Sequence, residues 1–71
     1  MNKSKYDLVD IAQAGASLVL DASKFSKYDL VNIAEAIQDG CGLELFGCDS
    51  ISKYDLVKIA EAAPGKVTLR Q

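Results

Sequence analysis

Six residues, SKYDLV, occur three times without a change, at Ser4–Val9, Ser26–Val31 and Ser52–Val57. A repeat of this kind governs the fold, because each copy must build the same local structure and pack on its neighbour. Written out, the copies read SKYDLVDIAQAGASLVLDAS, SKYDLVNIAEAIQDGCGLELFGC and SKYDLVKIAEAAPGKVTLRQ. Each opens with Ser, runs through apolar residues at helical spacing, meets Gly, and ends in a short alternating stretch. The plan is a helix followed by a strand, three times over.

Ser4, Ser26 and Ser52 are placed as helix N-caps, whose hydroxyl accepts a hydrogen bond from a free N–H of the first turn. Asp7, Asp29 and Asp55 follow three residues later and set negative charge against the positive end of the helix dipole. Phe25 with Leu30, and Ile51 with Leu56, are spaced as hydrophobic staples across the caps; Lys3 holds that slot in the first copy. The expected core face of the helices is Leu8, Ile11 and Ala12, then Leu30, Ile33, Ala34 and Ile37, then Leu56, Ile59, Ala60 and Ala63. Asp10, Asn32 and Lys58 share one outward position, and Gln13, Glu35 and Glu61 another. Gly15 and Gly40 are expected to end the first two helices and Pro64-Gly65 the third.

Strands are predicted at Ser17–Asp21, Leu43–Gly47 and Lys66–Arg70. Leu18 and Leu20, Leu43 and Leu45, and Val67 and Leu69 point one way; Val19, Glu44, Phe46, Thr68 and Arg70 point the other. A sheet covered on both faces would read as continuous apolar runs. Here one face alone is apolar, so all three helices belong on one side. A whole helix lies in each connection, which makes the strands parallel, with right-handed crossovers. The expected fold is α/β: a single domain over residues 1–71, with units at about 4–21, 26–47 and 52–70. Its sheet has the order 1-2-3, as in a short solenoid.

The second unit also carries a likeness. LELFGCDSISKYDLVKIAEA, Leu43–Ala62, resembles a leucine-rich repeat of the ribonuclease-inhibitor type, in which L-x-L-x-x-C on and after the strand is followed by apolar positions down a helix. Leu43, Leu45 and Cys48 take the strand positions, and Ile51, Leu56 and Ile59 follow. Leu18, Leu20, Ser23 and Phe25 stand at the corresponding places one copy earlier. The resemblance implies that Cys48 is buried at the bend from strand to helix and bonds backbone there. It also implies protein binding through the exposed strand face.

Composition narrows the function classes. A net charge of −2 gives no electrostatic case for nucleic acid or an anionic membrane. No apolar run approaches the ~20 residues of a membrane-spanning helix, and MNKSKYD lacks the apolar region of a signal peptide, so a cytoplasmic location is expected. Cys41 and Cys48 flank a strand that would hold their Cα atoms roughly 23 Å apart, too far for a disulfide; they are read as reduced thiols packed as small hydrophobes. With no His and no further Cys, zinc lacks ligands, and no metal or other cofactor is expected. Gly40–Gly42 lacks the Lys and spacing of a phosphate loop. Cys48, just before a helix N-terminus, has no catalytic companion. The chain is therefore expected not to be an enzyme.

Two readings of its work follow. The first is association with itself or with a protein partner. Sheet edges at the first predicted strand, Ser17–Asp21 (β1), and the third, Lys66–Arg70 (β3), are expected to be open, since no polar capping unit is visible in the sequence. Lys66 and Arg70 would discourage pairing at the β3 edge, whereas SLVLD at β1 carries no Lys or Pro. A two-fold homodimer joined at β1 is expected, with Ser17, Val19, Asp21, Glu44, Phe46, Thr68 and Arg70 as the interaction residues. The second reading is an anion or nucleotide site on the rim where the helix N-termini gather, made by Ser4, Lys5 and Tyr6, Ser26, Lys27 and Tyr28, and Ser52, Lys53 and Tyr54. The Asp two residues after each Lys is expected to neutralise its own copy, and each Tyr ring to lean on the next helix.

Overall fold

The computed structural model describes residues 3–71. Three αβ units follow one another: α1 (Lys5–Gln13), β1 (Leu18–Asp21), α2 (Lys27–Ala36), β2 (Leu43–Phe46), α3 (Lys53–Ala62) and β3 (Val67–Leu69), with single 3-10 turns at Ala22–Lys24 and Cys48–Ser50. The sheet is parallel, in the order β1-β2-β3. Leu18 stands beside Leu43 and Leu43 beside Val67; Leu20, Leu45 and Leu69 form the second apolar row. These leucines meet the helices on one side, so the core is a single layer between helices and sheet. The other side of the sheet is open, with Val19 and Phe46 exposed.

The helices start where the serines put them. The N–H groups of Asp7, Asp29 and Asp55 donate to the Oγ of Ser4, Ser26 and Ser52 at 3.3, 3.2 and 3.2 Å. Phe25 and Ile51, just ahead of two of the caps, are half-buried against the core. α1 ends as expected, with Gly15 at φ +101° just past its cap. α2 does not run to Gly40. It stops at Ala36, and Ile37 turns extended, which keeps its side chain buried. Gly40 lies further on, in a turn closed by the Cys41 N–H donating to the Gln38 carbonyl at 3.0 Å.

Burial shows which way each repeat position faces. Leu8 and Leu30 are fully buried but Leu56 is only half-buried; Ala12 and Ala34 are fully buried but Ala60 is not. The Ile position behaves the other way: Ile33 and Ile59 are fully buried and Ile11 is half-buried. The Leu and Ala of each helix are thus covered by the unit that follows, and the Ile by the unit that precedes. In the sheet the same rule leaves Val67 half-buried and Leu69 40% exposed while their counterparts in β1 and β2 are buried.

Candidate functional site

On the open sheet face, Val19 is 57% and Phe46 42% exposed. With Asp21, Lys24 and Phe25 they line one shallow depression. Val19 registers with Glu44 and Glu44 with Thr68, and the Arg70 Nε reaches Glu44 Oε2 at 3.1 Å. This face can accept an apolar side chain at Val19 and Phe46 with an ion pair beside it. Two of the expected contact residues are occupied by the fold itself. Ser17 Oγ accepts the Gly42 N–H at 3.0 Å, linking the two loops that lead into β1 and β2. Asp21 accepts from the Ser23 N–H at 3.0 Å and the Ser23 hydroxyl at 2.7 Å, capping the turn after β1. These two hydrogen bonds hold the Asp21 carboxyl below the ordinary carboxylate range.

The guards expected on the β3 edge are also engaged elsewhere. Lys66 Nζ pairs with Asp39 at 2.9 Å and donates to the Ile37 carbonyl at 3.3 Å, so it lies back towards the loop after α2. Arg70 is drawn to Glu44. The β3 edge is less defended than its sequence indicated.

At the helix rim, the Lys of one unit reaches the Asp of the next. Lys5 Nζ lies 3.2 Å from Asp29 Oδ1, and Lys27 Nζ lies 3.2 Å from Asp55 Oδ1. The hydrogen bond that Lys27 donates to the Asp55 carboxylate, together with that carboxylate's charge, raises the Lys27 pKa above the usual lysine value. This corrects the expectation that each Lys is neutralised within its own copy. Parallel neighbours put position two of one copy beside position four of the next. Two recurring charges at fixed places in every unit were the available signal. The tyrosines are corrected too. Tyr6, Tyr28 and Tyr54 are 74%, 70% and 72% exposed, so they do not lean on the next helix. Each carries its own neighbour's ammonium over the ring, at 5.0 Å for Lys5 and 5.2 Å for Lys27 and Lys53. With the Ser hydroxyls capping and Lys5 and Lys27 paired, the rim offers an anion weak attraction at most positions.

Both cysteines are free thiols. Cys48 is buried at the bend after β2 and its Sγ–H donates to the Leu45 carbonyl at 3.6 Å. Cys41 is half-buried and donates to the Gly15 carbonyl at 3.0 Å, joining the loops of the first two units. Among the described residues, no three of His, Cys, Asp and Glu gather as a metal site would require, and no helix is long and apolar enough to cross a membrane. Compared with protein-family models, curated proteins and solved structures, the chain finds no match.

Proposed function

We propose that this chain is a small, non-enzymatic αβ repeat module of the cytoplasm that acts by protein–protein association, with itself or with a partner protein, through its open sheet face and sheet edges. The observation that carries the reading is the pair Val19 and Phe46, large apolar side chains exposed together in one depression of an uncovered sheet. Exposed hydrophobes that share one depression of a surface are a feature of contact sites. Side chains of reactive type serve the fold: Asp21 caps a turn, Asp29 and Asp55 bridge units, and Cys48 bonds backbone. The leucine-rich-repeat likeness of Leu43–Ala62 agrees with this role, since that family binds protein through its strand face.

Sedimentation from low to high micromolar concentration tests the reading. A mass above the 7.6 kDa of one chain is expected, as a homodimer or larger, and Phe46→Glu should weaken whatever contact uses the face. A chain that stays at 7.6 kDa at the upper concentration has no role in self-association. The alternative, anion or nucleotide binding at the Ser-Lys-Tyr rim, draws on the helix N-termini. It would be favoured by backbone amide signals at Ser4–Tyr6, Ser26–Tyr28 and Ser52–Tyr54 shifting together when phosphate is added.

A further inference from the structure

We infer that the two ends of the repeat stack are complementary, and that a second copy of this chain docks on them head to tail, with α1 of one copy against α3 of the other. The inference rests on the association reading and supplies its geometry. Three observations carry it. The first is charge. The ladder Lys5–Asp29 and Lys27–Asp55 runs between units, and it leaves Asp7 at one end and Lys53 at the other with no ion pair among the described residues. Carried one step further, the same ladder joins Lys53 of one copy to Asp7 of the next.

The second is apolar surface. Leu56, Ala60 and Leu69 occupy positions that a following unit buries elsewhere in the molecule. Ile11 occupies the position that a preceding unit buries, and it shares a depression with Asp7, Asp10 and Lys3. The surfaces missing a neighbour are those which the molecule itself matches twice, at α1 against α2 and at α2 against α3.

The third is the backbone. The Leu18 N–H donates to the Gly42 carbonyl at 2.9 Å and the Leu43 N–H to the Lys66 carbonyl at 2.8 Å. In that ladder the N–H groups of Val67 and Leu69 point away from β2, as do the carbonyls of Ser17 and Val19 on the far side of β1. The same parallel step would give Val67 N–H to the Ser17 carbonyl of a second copy and Leu69 N–H to that of Val19. Lys66 and Arg70 do not obstruct it, being held by Asp39 and Glu44. A contact between unlike faces does not close at two copies, so it builds open stacks or rings.

Charge reversal separates this arrangement from a two-fold dimer at β1. Lys53→Glu sets Glu against Asp7, and Asp7→Lys sets Lys against Lys53; each variant alone is expected to associate about tenfold more weakly than wild type. Mixed in equal amounts, the two restore opposite charges at both junctions, and sedimentation should return to the wild-type mass distribution. That rescue also shows that both variants are folded. Wild type should grow past twice the mass of one chain as concentration rises, and its Val67 and Leu69 amides should exchange more slowly. A wild type that stays monomeric overturns the inference and the self-association on which it rests. A closed dimer indifferent to Lys53→Glu, with Val67 and Leu69 amides unchanged, overturns the head-to-tail geometry alone. Variants that stay weak when mixed, while both melt like wild type, overturn it as well.

Discussion

Gly47 shows how a single position accommodates a departure from the repeat. Ser26 follows Leu18 by eight positions, whereas Ser52 follows Leu43 by nine. The extra residue is taken up where the backbone turns left-handed, at Gly47 with φ +69°. A Cβ there would stand 2.7 Å from Asp21 Oδ1, closer than real contacts allow. That carboxylate cannot swing away freely, because Ser23 holds it twice. Gly47→Ala is therefore expected to cost about 2 kcal/mol from the left-handed strain, read as a lower urea midpoint with an unchanged slope. The same carboxylate predicts a pH effect. Its folded pKa lies below the unfolded value, so its contribution to stability is present above about pH 4, the unfolded range, and is lost as pH falls through the folded value. Asp21→Asn should flatten that part of the acid limb of a stability–pH curve; a limb identical to wild type would show that Ser23 does not favour the charged form.

At the scale of elements, the repeat gives an internal control. Leu30 and Leu56 have the same sequence surroundings, SKYDLV, and differ in what covers them: α3 packs on α2, and nothing among the described residues packs on the far side of α3. Leu30→Ala should cost about 2–5 kcal/mol, the range for a buried leucine, and Leu56→Ala clearly less in dilute solution. Equal losses in urea melts would contradict the assignment of the Leu position to the following unit. Ser26→Ala should cost about 1 kcal/mol in the same measurement. Much of this scale was legible from the chain. Caps, strand faces, parallel order and the one-sided helix layer all follow from short-range patterns that three copies state three times. Less visible was everything set by the distance between copies. Period-two alternation told that Val19 and Phe46 face outward, but not that Ser17 would be spent on Gly42 or Lys66 on Asp39. Those contacts arise from the longer loop between α2 and β2, whose path no periodicity encodes. The inter-unit Lys–Asp ladder was hidden for a related reason: its partners lie 24 and 28 positions apart, and only the fold brings them within 3.2 Å.

For the whole molecule, the question is whether 71 residues unfold as one body or from an end. α1 packs on α2 and α2 on α3, and β2 lies between the other two strands. The third unit shares one interface with the rest, while the second shares two. In such a stack stability is close to a sum of unit and nearest-neighbour terms. Opening the third unit breaks one interface; opening the second breaks both. The third unit is also the poorer in fully buried side chains, with Ile59 of α3 the only residue of that helix to reach full burial. Native-state hydrogen exchange in dilute solution is therefore expected to show a gradient. Amides of α2 and β2, such as Ile33 and Leu45, should be the slowest and should track global unfolding, while those of α3 and β3 should exchange about tenfold faster or more through opening of that unit alone. Added denaturant should change the α3 and β3 rates less steeply than those of α2 and β2, because a partial opening exposes less surface. If all three units exchange at one rate with one denaturant slope, the molecule opens only as a whole, and the nearest-neighbour description fails.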